Sequence, residues 1–378
     1  MHMGLIGLSV IILFSLFSCH HEISVPGGFE EEVKNIKSKY APDRRTKIFE
    51  VTWLREDDHW RIDAETTEPQ AKSALETAIP KYFKSDEVQT FIQVLPYTDL
   101  QDSVWGLLTV SVGNVKKSPD HAAELIDQIV MGNEVKILKK HHGWYLIQAP
   151  YDYLGWITQG SLYRTNRKGI DDWQQQHLVK LDINYTQLFR EPDQDSQVVC
   201  DAVLGGIFVQ TGQQGNWLKL KLPDGREGYA KAKDFKLFQK LSKDQLPRRE
   251  EITARALKMT GIPYLWGGNS PKGFDCSGFS GTVYASEGYR LPRDANMQVL
   301  VGEKVIPDST YSNILPGDLL FFGSNDRISH VAISLGGYEF IHSAAPSYVR
   351  INSLDEKNKL FDKYEKERLK VIKRIIIE

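Results

Sequence analysis

From about residue 47 the chain alternates apolar and polar positions in short runs. Residues 47–53 and 59–63 alternate like the two arms of a β-hairpin, in which every second side chain faces a core. The period then changes. Thr66-Thr-Glu-Pro reads as a helix cap and first turn, and Ala71, Ala74, Leu75 and Ala78 fall on one face of a helix. Residues 88–95 return to the strand period, which predicts a small α/β element of about 60 residues. Before it, residues 22–39 are polar with a Pro-Gly-Gly breaker at 26–28, and read as a tether.

The middle of the chain repeats itself. Pro119 and Pro192, Gly132 and Gly205, Trp144 and Trp217, and Gly155 and Gly228 are each separated by 73 residues. Around these anchors β-rich runs recur: 109–115 against 180–188, 133–138 against 207–211, 144–147 against 217–220, and 155–157 against 228–230. Short strands with Gly and Pro punctuation predict two small β-barrels, over residues 105–165 and 178–240. The first carries an aromatic-rich stretch at 149–156 that suits either a cleft lining or a barrel core. Residues 241–251 read as a linker, and 252–259 as a helix stopped by Gly261 and Pro263.

The chemistry concentrates after that linker. Residues 264–279 read Tyr-Leu-Trp-Gly-Gly-Asn-Ser-Pro-Lys-Gly-Phe-Asp-Cys-Ser-Gly-Phe, placing Cys276 between a glycine-rich loop and a helix expected over 280–287. Backbone N–H groups and the dipole at a helix start favour a thiolate, which is the nucleophilic form of cysteine. A small buried thiol is the alternative reading; polar Asp275 and Ser277 and the glycines at 267, 268 and 273 argue against it. Beyond residue 245 the chain has two histidines, His330 and His342, both in alternating apolar runs joined by Gly336-Gly337. On adjacent strands two imidazoles share a face, the first meeting the thiol and the second orienting the first.

Composition narrows the classes. With 378 residues, 25% charged, and a net charge of −2, several domains are expected and nothing favours nucleic acid. Three cysteines are too few for a disulfide framework, and Cys200 reads as a buried core thiol. Residues 4–17 form an apolar stretch shorter than the roughly 20 residues of a membrane span. It suits the core of an export signal, with Ser18-Cys19 resembling a bacterial lipoprotein cleavage site. Cys19 is then the expected lipidation site and membrane anchor. A lysine- and arginine-free start and bulky Phe17 depart from that pattern, so a plain secreted form and a spanning anchor stay open.

Asp-Cys-Ser-Gly-Phe at 275–279, Ser-His-Val-Ala-Ile at 329–333, the Tyr-x-Trp-Gly-Gly lead-in, Arg293-Asp294 and Pro-Gly-Asp-Leu-Leu-Phe-Phe at 316–322 match in order and spacing. On these motifs residues 246–378 resemble the NlpC/P60 family of papain-like cysteine peptidases, and the barrels resemble bacterial SH3-type modules. The implied fold is α+β: a papain-like catalytic domain preceded by two SH3-like barrels and the small α/β element. The resemblance implies Cys276 as nucleophile, His330 as general base and His342 as its orienting partner. The oxyanion is then expected on the Cys276 N–H and the Tyr264 hydroxyl, and the separation of the thiol and histidines, without the short paired spacing of common zinc sites, implies no metal or other cofactor. The substrates that the resemblance implies are peptidoglycan-derived peptides. In the two-barrel subgroup the first barrel walls off the cleft, so that a peptide with a free N-terminal L-Ala is cut after γ-D-Glu. Tyr264, Trp266 and Ser277 match pocket positions. Asp275 is the expected anchor for the peptide ammonium, with Glu124 and Tyr153 of the first barrel assisting. Arg293 and Asp294 read as an ion pair at a helix start, and Ala295 stands where some relatives have Ser. Action on intact wall, an amidase activity, and a silent wall-binding protein are the alternatives.

Overall fold

A computed structural model describes residues 25–238 and 246–377. The apolar leader, Cys19, and residues 241–245 of the expected linker lie outside the described residues. Among those described, no helix is long and apolar enough to cross a membrane. The chain forms two compact units, one built from residues 25–42 and 49–94 and the other from 43–48 and 95–377.

The first unit is a three-stranded sheet covered by helices. Phe49–Glu56 and His59–Thr66 pair antiparallel, as the alternation predicts. Val88–Val94 then returns parallel to His59–Thr66 by way of the helix Pro69–Ala78, which buries Ala71, Leu75 and Ala78. The expected tether is a correction. It holds the helix Phe29–Tyr40, entered from Gly28 at φ +91°. Phe29, Val33, Ile36 and Tyr40 recur at helical spacing and pack into the core, while Glu30, Glu31, Glu32, Lys34, Lys37 and Lys39 give the segment its polar look. Full burial of an aromatic such as Phe29 contributes about 2–3 kcal/mol, enough to hold a helix this polar in place.

The second unit contains two barrels and an α+β domain. Every strand of the first barrel has a counterpart starting 73 residues later, from Trp105–Leu108 and Leu178–Leu181 to Leu162–Thr165 and Phe235–Leu237. The two sheets have the same strand order. The repeat alignment needs one correction: Val112–Lys116 is the partner of Tyr185–Phe189, and both are preceded by a separate strand. Gly132, at φ +77°, marks where the barrels meet. A Cβ there would lie 2.2 Å from the Ile207 carbonyl oxygen. Tyr153 is barrel core, whereas Cys200 is only partly buried at the edge of the second core.

In the α+β domain a six-stranded antiparallel sheet runs in the order Glu303–Val305, Leu369–Arg374, Leu319–Ser324, Arg327–Gly336, Glu339–Ser343, Val349–Ser353. The helix Cys276–Ser286 packs on it through Phe279, Val283 and Tyr284 against Phe321, Val331, Ile333 and Ile341. This helix begins four residues before its expected start, and the earlier helix is Arg249–Leu257 rather than 252–259.

Candidate active site

Cys276 is the first residue of its helix because Asp275 caps it. The Asp275 carboxylate accepts the Gly278 N–H at 2.6 Å and the Ser277 hydroxyl at 3.0 Å. Gly278 is required by close approach, since a Cβ there would lie 2.0 Å from the Gly268 carbonyl oxygen. The half-buried thiol receives backbone N–H groups of Ser277 and Val331. Burial nevertheless pushes it up to about 12, assisted by the Asp275 charge, against the pull of those N–H groups and Arg293. In the free site the helix start acts in the anticipated direction, but desolvation outweighs it.

His330 and His342 stand on neighbouring strands joined at Gly336 and Gly337, both at positive φ. Ile333 lies opposite Ile341, a register that sets the two rings diagonally on one face. His330 Nε2 is 2.8 Å from His342 Nδ1, and His342 Nε2 is 3.0 Å from Asn352 Oδ1. His342 is fully buried and His330 is 9% exposed. Burial holds both imidazoles below their ordinary range, His342 at about 4, and His342, Arg368 and Arg350 add to the effect on His330. Burial thus disfavours the charged form of the thiol and of both imidazoles alike.

Glu365 lies close by, its carboxylate 3.9 Å from His330 Nε2, and with the two histidines it forms a cluster able to offer three metal-ligand atoms. The facing histidine nitrogens, at 2.8 Å, are closer than the roughly 3.4 Å between two nitrogens on one tetrahedral zinc. That spacing is one of a shared proton.

Around this centre the first barrel supplies side chains that the sequence separates by more than a hundred residues. Arg293, 4% exposed, donates from Nε to Asp127 at 2.7 Å, from Nη2 to Asp275 at 2.7 Å, and from Nη1 to the Ser277 hydroxyl at 3.1 Å. Asp127, 1% exposed on the barrel strand Leu125–Val130, also accepts the Tyr151 hydroxyl and Asn269 Nδ2. Gln128 accepts the Asn269 N–H and the Ser270 hydroxyl. Tyr151 belongs to the aromatic-rich stretch at 149–156, but neither Asp127 nor Gln128 stood out in the sequence, where nothing marks a buried acid on a barrel strand.

Three expectations change here. Arg293 does not pair with Asp294; it lies between Asp127 and Asp275, while Asp294 takes Arg45 Nη1 at 2.7 Å and the Tyr153 hydroxyl at 3.1 Å. Tyr153 therefore reaches the catalytic domain at Asp294. Asp275 is not a free carboxylate, because the helix N–H and Arg293 occupy its oxygens. Glu124 does reach the site's rim, accepting Trp266 Nε1 at 2.9 Å and Lys117 at 2.9 Å. Trp266 is 63% exposed, and the Tyr264 phenol, raised by burial beside Cys276 and Asp275, remains a hydrogen-bond donor. The second barrel docks instead behind the helix, with Lys180 Nζ on the Ser286 carbonyl and Asp182 on Arg255. A cavity of about 700 Å³ between the barrels and that helix is lined by Gln128, Lys180, Leu204, Ser277 and Arg293, and by none of Cys276, His330 or His342.

A cysteine at a helix start facing a sheet that carries paired histidines is the arrangement of a thiol peptidase. Residues 261–367 match the NlpC/P60 family, and residues 111–163 match the bacterial SH3 domain. Dipeptidyl-peptidase 6 of Lysinibacillus sphaericus is 28% identical over 264 residues, 68% of this chain and 93% of that protein. Gamma-D-glutamyl-L-lysine dipeptidyl-peptidase of Bacillus subtilis (strain 168) is 41% identical over 228 residues, 57% of this chain and 71% of that protein. The crystal structure of an NlpC/P60 family protein from Bacillus cereus ATCC 10987 superposes with a TM-score of 0.61 at 22% identity, covering 72% of this chain and 99% of that one, and so shares the fold. The chain belongs to the NlpC/P60 family and is a cysteine peptidase carrying a bacterial SH3 domain.

Proposed function

We propose that the protein hydrolyses peptidoglycan-derived peptides at the γ-D-Glu–diamino acid bond, releasing L-Ala-D-Glu from peptides with a free N-terminal L-Ala. Cys276 is the nucleophile. As Sγ bonds to the γ-glutamyl carbonyl carbon, its proton passes to His330, and the oxyanion is met by the Cys276 N–H and the Tyr264 hydroxyl. His330 then protonates the leaving amine, the C–N bond breaks, and a thioester remains. Water, losing a proton to His330, attacks the thioester. The acid is released, and the thiol regains its proton.

The observation that carries the reading is the insertion of the first barrel beside the nucleophile, through Asp127–Arg293–Asp275 and Glu124–Trp266. A wall at that place limits the peptide on the acyl side to a short, free end. The names of the similar proteins from L. sphaericus and B. subtilis agree with a dipeptide-releasing specificity. Since Asp275 is neutralised by Arg293, the ammonium is matched by the net negative charge of the Asp127, Asp275 and Asp294 cluster, with Glu124 at the rim, rather than by Asp275 alone. Substrates of this class agree with action at the cell envelope, and the Ser18-Cys19 pair supports a lipid on Cys19 as the anchor.

The test is to incubate the protein with L-Ala-γ-D-Glu-diaminopimelate and with its N-acetylated form, and to follow the products by mass spectrometry. The free peptide is expected to yield L-Ala-D-Glu, the acetylated one to be cut at least about 100-fold more slowly, and Cys276→Ala to be inactive on both. Equal cleavage of the two peptides rejects the free-amine specificity, and an active Cys276→Ala rejects the mechanism.

A further inference from the structure

Asn352 ends the hydrogen-bonded row that begins at His330, and its own amide is oriented from two sides. Arg350 Nε donates to Asn352 Oδ1 at 3.1 Å, and Asn352 Nδ2 donates to the Leu360 carbonyl at 3.4 Å. The atom facing His342 Nε2 at 3.0 Å is therefore the oxygen, which can only accept. From this point each proton position is forced. His342 must carry its proton on Nε2. A neutral imidazole has one N–H, so His342 Nδ1 is a lone pair. His330 Nε2, 2.8 Å from that lone pair, must be the donor, and His330 in turn keeps its lone pair on Nδ1.

Building on Cys276, His330 and His342 as the reacting set, we propose that Asn352 is a positioning residue that fixes the tautomers of both histidines and so makes Nδ1 of His330 the base. Without the acceptor, His342 is free to carry its proton on Nδ1. His330 Nε2 would then have to accept, its own proton would move to Nδ1, and the ring could no longer take a proton there. The environment favours the neutral rings that this logic needs. Burial is the main cause, with Arg350 on the strand beside His342 and Arg368 on the helix Lys363–Arg368 repelling added positive charge. Two acids oppose that repulsion, Asp362 at the N-cap of this helix and Glu365 within it, Glu365 paired to Arg368 at 3.1 Å. Phe322 and Phe340 close the remaining sides with apolar rings.

Two variants separate tautomer control from mere packing. Asn352→Leu keeps the volume and removes the acceptor, whereas Asn352→Asp keeps an oxygen facing His342 Nε2. Two measurements do not need the peptide substrate: the ¹⁵N shifts of the histidine rings in the full-length protein, and the pH dependence of Cys276 alkylation by iodoacetamide. The wild type and Asn352→Asp should both show His342 and His330 protonated at Nε2. In Asn352→Leu the His342 proton should move to Nδ1 or exchange between the two nitrogens. Alkylation, and kcat on L-Ala-γ-D-Glu-diaminopimelate, should fall about 10–100-fold in Asn352→Leu with KM little changed. Asn352→Asp should stay within a few-fold of wild type, with its acid limb moved to higher pH because a carboxylate raises the basicity of the pair. A wild-type His342 protonated at Nδ1 overturns the proposal, as does Asn352→Leu with an unchanged pH profile, or Asn352→Asp as impaired as Asn352→Leu. If Asn352→Leu fails to fold, an unshifted acid limb in Asn352→Asp overturns it equally. If the peptide is not cleaved by the wild type while alkylation and ring shifts behave as expected, the assigned substrate is wrong and the role of Asn352 stands.

Discussion

Glu365 is buried beside His330 and neutralised in part by Arg368, and burial pushes its carboxyl up to about 7. The folded state therefore holds this proton more tightly than the unfolded chain does. The stability it contributes is complete below the ordinary glutamate range and is lost as pH rises through 7. His342, depressed to about 4, acts the other way: its contribution is present above the ordinary histidine range and is lost as pH falls through 4. His330, also depressed, has the same sign as His342. Between these limits the histidines and Glu365 oppose one another, and above the histidine range the Glu365 effect acts without them. Calorimetry should show Glu365→Gln gaining in Tm relative to wild type on going from pH 6 to pH 8; a constant difference across that range would contradict the assignment. Residue by residue, a cysteine at a helix start and two histidines on paired strands were legible in the sequence, because each leaves a local pattern. Their protonation was not, because it depends on how much water the folded chain excludes.

The nucleophile helix illustrates how little of an element's start is decided by its apolar period. Gly278 and Gly281 weaken the helical signal, so the pattern alone suggests a start at residue 280. The Asp275 cap and the tight passage of Gly278 over Gly268 bring the start forward to Cys276. Asp275→Asn retains an oxygen for the Gly278 N–H and loses the charge that Arg293 meets, whereas Asp275→Ala loses both. Urea denaturation should place Asp275→Ala the lower of the two, by about 1 kcal/mol for the missing cap. Equal stability of the two variants would mean that the cap contributes nothing. The helix Phe29–Tyr40 makes the complementary point: its apolar stripe was present in the sequence, but its six charged residues concealed it.

At the scale of the molecule, Arg293 and Asp127 join the first barrel to the catalytic domain across 166 residues of sequence. Arg293→Met strands two buried carboxylates, and breaking a buried pair in this way costs about 3–5 kcal/mol. Differential scanning calorimetry is expected to show the barrels and catalytic domain unfolding in one transition in the wild type and in two in this variant; one transition at an unchanged temperature in the variant would refute the coupling. Glu124→Ala, which releases Trp266 at the rim, should narrow the difference in rate between the N-acetylated and the free peptide if the barrel sets specificity. An unaltered ratio would assign the selection to other residues. The sequence by itself determined the α+β class, the paired barrels and the placing of a cysteine at a helix start and two histidines on paired strands, because periodicity, repetition and short motifs are written in neighbouring residues. Only the tertiary structure decided that Arg293 meets Asp127 and Asp275 instead of Asp294, that burial opposes ionisation of the thiol, and that Asn352 completes the row. These depend on desolvation and on partners far apart in the chain, and no local pattern records either.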